Sequence, residues 1–156
     1  MKTMILFIAL YQLVFLFTGC DEQEPELKSE IGHFELKLTY TTHSDPLPDE
    51  GSKMYLFSDQ AKCPDFYEAM QGFARIDGKT ITSRYRARAD ENGEIYIHNM
   101  KAGSYYMVVI SSSREKYTEK MIDVPLGDTL KLYKNFHNSA HHWHDLEPWD
   151  YVQPDY

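Results

Sequence analysis

Residues 90–105 read DENGEIYIHNMKAGSY and combine two turns with a short alternating strand. Gly93 accepts the positive φ that a tight hairpin turn requires. The two isoleucines that follow alternate with polar residues, which predicts a half-buried strand. Asn99 can bond its own backbone at the next bend, and Gly103 lets the chain turn so that Tyr105 points into a core. The stretch therefore predicts a β-hairpin.

Segments on both sides of this hairpin also have the patterns of short strands. Residues 34–40 alternate strictly between apolar and polar side chains, so one face is expected to be buried and the other wet. Residues 54–57 are apolar on both faces, which is typical of an interior strand. The other predicted strands are residues 80–89, 105–110, 121–124 and 129–133. Seven short strands with almost no helix predict an all-β sandwich.

One segment does not alternate. Phe66, Ala69, Met70 and Phe73 fall at helical spacing, and Pro64 suits the first turn of a helix. We expect a short helical excursion that covers one edge of a sheet.

The hairpin resembles the signature of transthyretin-like (prealbumin-like) domains, which include carboxypeptidase regulatory-like domains and adhesin B-type repeats. Their pattern is Asp-x-Asn-Gly, two alternating apolar residues, Asn-Leu and Gly-x-Tyr; Met100 stands here where Leu is usual. The resemblance covers residues 31–133 and implies a single seven-stranded transthyretin-like β-sandwich. It also implies binding or scaffolding, because the fold alone does not assign catalysis.

Two enzymatic branches of that superfamily do not match the sequence. Metallocarboxypeptidases carry their chemistry in a separate catalytic domain, for which this chain has no room. Hydroxyisourate hydrolases end in a His-Arg-Gly-Ser type tetrapeptide, whereas this sequence ends Gln153-Pro154-Asp155-Tyr156. We therefore expect no enzyme.

The N-terminus predicts export and lipid attachment. Lys2 precedes an apolar run that closes with Leu16-Phe17-Thr18-Gly19-Cys20. This order resembles the bacterial lipobox, which implies that residues 1–19 are a signal peptide and that Cys20 is acylated. An ordinary secretory signal or an N-terminal anchor helix is the alternative. The resemblance implies a lipoprotein of the outer membrane, facing the periplasm or the cell surface.

Charge sets further limits on partners. The 156 residues hold 24 acidic and 16 basic side chains, a formal charge of −8. That balance argues against nucleic acid, whose phosphates require a cationic surface. It also means that membrane attachment has to come from the lipid. Residues 20–30 are acidic and lack apolar periodicity, so we interpret them as a linker between lipid and domain.

The other cysteine, Cys63, has no intrachain partner once Cys20 is modified. It is interpreted as a small buried hydrophobe, and a reactive thiol or a bond to another chain is the alternative.

Residues 134–156 form a tail rich in histidine and tryptophan. If residues 138–147 are helical, His137, His141 and His144 share one helix face, with His142 as a substitute. Imidazole is a favoured ligand of zinc, copper and nickel, so this set is a candidate metal site. The histidines are otherwise polar neighbours of packed tryptophans. No other cofactor is predicted.

The same tail is also a candidate recognition segment. Trp143, Trp149 and Tyr151 are the predicted partner-binding residues, since aromatic anchors are enriched at the centres of interfaces. Aromatic rings also stack on sugars, so the partner is a protein or a polysaccharide of the envelope. Packing of these rings on the domain is the alternative.

Two remaining patterns have simple interpretations. Arg84, Arg86 and Arg88 lie on one strand face and could bind an anion through their guanidinium groups, although a solvated face is the simpler interpretation. Residues 111–113 are three serines without the glycines of a nucleophile elbow, so they are interpreted as a loop. The sequence thus predicts a lipid-anchored, non-catalytic binding or assembly module, with a metal-binding lipoprotein as the alternative.

Overall fold

Two four-stranded sheets face each other across one hydrophobic core. The computed structural model describes residues 30–42, 45–62, 65–137 and 146–149. The strands are β1 (Ile31–Tyr40), β2 (Leu47–Pro48), β3 (Lys53–Ser58), β4 (Phe73–Ile76), β5 (Lys79–Thr82), β6 (Tyr85–Arg88), β7 (Glu94–Lys101), β8 (Gly103–Ile110), β9 (Tyr117–Val124) and β10 (Thr129–Phe136), with one helix, α1 (Phe66–Gln71). The all-β sandwich expected from the sequence is confirmed.

The first sheet, called sheet A, is built around β1. Strand β10 pairs with β1 in parallel, while β7 and the two-residue β2 pair with it antiparallel. The second, sheet B, has the order β6-β3-β8-β9 and is antiparallel. The apolar strand predicted at residues 54–57 is therefore an interior strand, as expected, because β3 lies between β6 and β8.

The core between the sheets is made of alternate residues from both of them. Its fully buried members are Phe34, Leu36, Leu38, Met54, Leu56, Ile95, Met100, Met107, Val109 and Phe136. Strand β8 is apolar on its other face as well, because Tyr106, Val108 and Ile110 are also buried. Sheet B consequently has two apolar faces and needs a second layer of cover.

The turns of the predicted hairpin are formed, but the hairpin itself is not. Strand β7 pairs with β1 in sheet A, whereas β6 and β8, which precede and follow it along the chain, lie in sheet B. Gly93 has φ 75°, and a Cβ there would lie 2.2 Å from the Leu38 carbonyl oxygen, so only glycine suits the position. Asn99 has φ 56° and lies in a β-bulge, where β7 has two residues opposite the single His33 of β1. Tyr105 points into the core and is 3% exposed.

Strand number and boundaries differ from the expectation. The predicted strand at residues 80–89 is two strands of different sheets, since β5 pairs with β4 while β6 pairs with β3. Ten strands rather than seven are therefore present among the described residues. The break falls at Ser83–Arg84, where the chain passes from a small hairpin into sheet B, so alternation alone did not reveal it.

The helix of the excursion is shorter than expected, and the excursion covers a larger part of the sheet. Helix α1 ends at Gln71, and Phe73, which was assigned to the helix, begins β4. The helix and the β4–β5 hairpin cover the outer face of sheet B rather than one edge. Strand β10 continues to Phe136, which is fully buried in the core instead of belonging to the tail.

No helix in the described part of the chain has the length and apolar character needed to cross a membrane.

Candidate binding surface

The outer face of sheet B is the place where the fold builds a concave surface. A second apolar cluster joins this face to the excursion, and its buried members are Phe57, Ala61, Phe66, Ala69, Ala74, Tyr106, Val108, Ile110 and Tyr117. The excursion covers part of this face. Two of the depressions on the face meet at Lys53.

Local sequence fixes the position of helix α1. Asp65 caps its N-terminus by accepting a hydrogen bond from the Glu68 backbone N–H at 2.9 Å. Gly72 ends it in the left-handed conformation, with φ 73°. A Cβ on Gly72 would lie 2.7 Å from the ring of Tyr55, whose hydroxyl donates to the Met70 carbonyl at 3.1 Å. The C-terminal end of α1 therefore packs directly on β3.

The first depression, the aromatic cleft, has a volume of about 300 Å³. Its helical wall is apolar and consists of Phe66, Tyr67 and Met70. Tyr67 is 63% exposed, and its ring makes an edge contact with the ring of Phe66. The other lining residues are Gly51, Lys53, Ile110, Ser111, Ser112 and Glu115. An aromatic wall opposite polar groups is the usual composition of a small-ligand site.

A buried polar network holds the loop that forms the opposite wall. Asp49 is fully buried and accepts hydrogen bonds from the Ser111 hydroxyl at 2.6 Å and from the Ser113 backbone N–H at 3.0 Å. The Ser52 hydroxyl oxygen accepts from the Ser112 backbone N–H at 2.9 Å. Buried polar groups need such partners, so this loop is tied to the turn before β3.

The same network argues against Ser111 as a nucleophile. Ser111 is 1% exposed, and its hydroxyl proton is directed to a carboxylate with no imidazole between them. A serine hydrolase instead requires a base within reach of an accessible hydroxyl. The serine run therefore supports the cleft wall structurally, in agreement with its interpretation as a loop.

The second depression, the basic groove, has a volume of about 340 Å³ and is lined by Lys53, Tyr55, Arg86, Ala87 and Arg88. The register places Lys53 opposite Arg88 and Tyr55 opposite Arg86. Burial raises the pKa of the Tyr55 hydroxyl, and the positive charges of Arg88 and Arg86 partly oppose that shift. Arg86 and Arg88 therefore face outward, while Tyr85 and Ala87 pack towards the core.

The part of the tail that the structure describes is anchored by a buried carboxylate. Glu147 is 4% exposed and contacts the ammonium groups of Lys134, at 2.7 Å, and Lys116, at 3.3 Å. Its backbone N–H donates to the Tyr117 carbonyl at 2.8 Å, and Leu146 forms a parallel bridge with the same strand, β9. Leu146 and Glu147 are therefore not part of a helix, which corrects the C-terminal end of the helix considered for residues 138–147.

His137 lies at this cluster, with its Nδ1 3.6 Å from the Glu147 carboxylate. Two ammonium groups on the same carboxylate oppose the approach of a metal cation there. No group of three metal-ligating side chains occurs within residues 30–42, 45–62, 65–137 and 146–149. His141, His142 and His144 lie outside the described residues, so metal binding by the tail stays a prediction.

Trp149 is the predicted partner-binding residue whose position is known. It is half-buried against the central core, and the Lys120 ammonium lies 5.4 Å from its ring centre. This position corresponds to the packing alternative for the tail aromatics. Trp143 and Tyr151 lie outside the described residues, as do Cys20 and Cys63.

The outer face of sheet A has a different character, because its charges are paired. Lys37 contacts Glu94 at 3.0 Å, and Lys131 contacts Glu35 at 2.8 Å. Hydrogen bonds from Tyr96 and then Lys37 lower the pKa of the Glu94 carboxyl, and the bond to Glu94 raises the pKa of Tyr96 to about 12. The Glu35 carboxylate raises the pKa of Lys131.

Sequence reasoning missed the residues that shape both regions. Asp49 precedes the predicted strand at residues 54–57, and Glu147 ends the helix considered for residues 138–147; neither position predicts a buried carboxylate. Charged residues are mostly exposed, so a sequence gives no sign that a particular carboxylate is buried. The serines that donate hydrogen bonds to the Asp49 carboxylate and the lysines that contact Glu147 are distant in sequence. Tyr67 lies in the predicted helical excursion and Lys53 just before the predicted strand at residues 54–57, and neither is predicted as a site residue.

Comparison with known proteins identifies similar folds only. No protein-family model and no curated protein matches the sequence. Among solved structures, the minor pilin GBS52 of Streptococcus agalactiae is 15% identical, with a TM-score of 0.49, and the match covers 72% of this chain and 46% of that one. The TIE protein of Bacillus anthracis is 14% identical over 69% of this chain and 16% of its own, with a TM-score of 0.45. The major pilin subunit BcpA of Bacillus cereus is 19% identical over 70% and 30%, with a TM-score of 0.40. The chain therefore spans less than half of the length of each.

Proposed function

We propose that this protein is a lipid-anchored, non-catalytic binding module of the bacterial envelope that captures an extracytoplasmic ligand on the outer face of sheet B. In this proposal Cys20 carries the lipid, residues 20–30 provide reach from the outer membrane, and residues 31–136 form the binding domain. The partner is a polysaccharide or a protein of the envelope.

The observation that carries the proposal is the joined pair of depressions at Lys53. The aromatic cleft and the basic groove place an exposed tyrosine ring beside cationic side chains on one surface. Ligand sites are generally concave, partly apolar and supplied with a few fixed polar groups. Ser111, which lines the cleft together with Ser112, donates its hydroxyl proton to the buried carboxylate of Asp49 and so supports the wall of this binding surface.

The binding part of the proposal is tested with the full chain, purified in detergent and applied to a glycan array and to immobilised envelope proteins. Tyr67→Ala removes the exposed ring of the aromatic cleft, and we expect it to abolish the retained signal. Tyr96→Ala is the matched control, because Tyr96 is also an exposed tyrosine, 49% accessible, but lies on sheet A. Equal loss in both variants, or no loss in Tyr67→Ala, would place the ligand elsewhere.

The anchoring part is tested separately by radiolabelled palmitate in a Gram-negative host that expresses the full chain. The two cysteines provide a matched pair. We expect Cys20→Ser to lose the label and to leave the membrane fraction, whereas Cys63→Ser keeps both. Label that persists in Cys20→Ser would contradict the lipoprotein assignment without affecting the binding surface.

A further inference from the structure

We propose that the ligand is an acidic polysaccharide, with a carboxylate bound in the basic groove and an adjacent sugar ring packed on Tyr67 in the aromatic cleft. The inference rests on the proposed function and assigns a chemical class to the ligand of that site.

Three cationic side chains lie close together in the groove without carboxylate partners in the part of the chain that the structure describes. The chain carries a formal charge of −8, and the cations of sheet A have carboxylate partners. Lys53, Arg86 and Arg88 form no ion pair with a carboxylate anywhere in residues 30–42, 45–62, 65–137 and 146–149. An acidic protein that keeps three such cations together presents a local site for an anion.

The register of β3 and β6 places two of these cations side by side. Lys53 and Arg88 are direct cross-strand partners, and like charges in that position repel each other. Ala89 donates its backbone N–H to the Ser52 carbonyl at 2.9 Å, so by alternation Lys53 and Arg88 form a non-hydrogen-bonded pair, in which side chains lie closest. A bound carboxylate would relieve this repulsion.

The spacing of the arginines limits the shape of the ligand. Arg86 and Arg88 are two residues apart on one strand, which separates them by roughly 6.6–6.8 Å along the strand, so each guanidinium can bind its own carboxylate side-on. Lys53 lines both depressions, so a ligand held by the arginines extends naturally towards the ring of Tyr67. A repeating carboxylated sugar supplies both the charge and the flat ring face. An acidic peptide supplies only the charge.

The experiment measures binding of a galacturonic-acid hexamer to the full chain in detergent by calorimetry. The matched ligand is the methyl ester of the same hexamer, which keeps the sugar rings and removes the charge. Polyglutamate of similar length tests the peptide class. We expect the free acid to bind at least tenfold more tightly than either of these, and its affinity to fall as salt is added.

Protein variants then locate the site. Arg86→Gln with Arg88→Gln is expected to weaken binding of the free acid by about 10- to 100-fold, since two charge-assisted hydrogen bonds are lost. Both side chains are exposed, so folding should persist, and a melting curve verifies this. Lys79→Gln with Lys131→Gln removes the same charge away from the groove and should leave the affinity within about twofold.

Each alternative outcome overturns the inference in a distinct way. Equal binding of acid and ester would leave a neutral-sugar module and preserve the proposed function. Equal or tighter binding of polyglutamate would assign the groove to an acidic protein. Binding that appears only when Glu22, Glu24 and Glu26 are replaced by glutamine would make the chain's own acidic segment the occupant. No binding of the hexamer in any form refutes the ligand class, and the array in the preceding section decides separately whether the module binds anything.

Discussion

The outer faces of the two sheets differ in the polarity of their side chains and in whether another segment covers them. On sheet A the outward residues are polar, and oppositely charged side chains pair across strands, as Lys37 does with Glu94. On sheet B the outward residues of the central strands are apolar, so the excursion that contains α1 has to cover them. Lys53, Arg86 and Arg88 line the basic groove on this face without carboxylate partners among the described residues.

This difference explains why the concave surface lies on sheet B. A face that is solvated and internally neutralised needs no second layer, and the depression on sheet A is correspondingly smaller, about 170 Å³. An apolar face needs a covering layer, and the edges of that layer form the walls of a depression. Here these walls are helix α1 and the loop held by Asp49. The candidate site is therefore a consequence of covering an apolar sheet incompletely.

The largest expected effect on stability comes from removing a side chain that is buried between sheet B and the excursion. Phe57 is fully buried between sheet B and the excursion, and we expect Phe57→Ala to lower the free energy of unfolding by about 3–5 kcal/mol. Tyr133→Ala on the outer face of sheet A removes a ring that is 53% exposed, and should cost about 1 kcal/mol or less. Urea denaturation of the full chain measures both. Similar values would show that the two faces do not differ.

The next effect compares a buried ion pair with an exposed one. Glu147→Gln leaves the ammonium groups of Lys116 and Lys134 without their buried counter-charge, and we expect a loss of about 3 kcal/mol. Glu94→Gln breaks a partly exposed pair on sheet A and should change stability much less. The same denaturation experiment distinguishes them. A small effect of Glu147→Gln would mean that residues 146–149 detach and let the lysines become solvated.

A smaller effect tests the seat of helix α1 on sheet B. Gly72 and Gly78 both have positive φ, so alanine costs backbone strain of about 1 kcal/mol at either position. Only at Gly72 does the new Cβ meet a neighbour, the ring of Tyr55 at 2.7 Å. We expect Gly72→Ala to cost about 2–3 kcal/mol and to weaken ligand binding, with Gly78→Ala as control. Equal costs would indicate that the helix end adjusts freely.

The smallest effect concerns the paired charges of sheet A. The pKa of Glu94 is lowered in the folded state, mainly by the hydrogen bond from Tyr96. The stabilisation from this carboxylate is therefore present above the ordinary pKa of 4.5 and is lost as the pH falls through the lower, folded-state pKa. Carboxyl-carbon NMR should show a midpoint below 4.5 that moves upward in Tyr96→Phe. A midpoint that does not move in Tyr96→Phe would show that the hydrogen bond from Tyr96 is not the cause of the lowered pKa.

Much of the sandwich could be read from alternation, and the places where prediction failed share one reason. The strands at 34–40 and 54–57 were found because each has a burial pattern of its own. The break at Ser83–Arg84 and the continuation of β10 to Phe136 were missed, because they depend on which strand lies alongside. The arginine ladder was noticed, but its importance depends on Lys53, which belongs to another strand.

The amino-acid sequence by itself determined the class of fold, the turn at Gly93, the bend at Asn99 and the two-sided burial of the central strands, since these follow from backbone preference and from a repeat of two. Only the tertiary structure decided that Asp49 supports a loop 62 residues away, that Glu147 is buried between two lysines, and that Lys53 joins an aromatic cleft to a basic groove. Such contacts depend on sheet order and register, which bring distant segments together, and no local pattern encodes them.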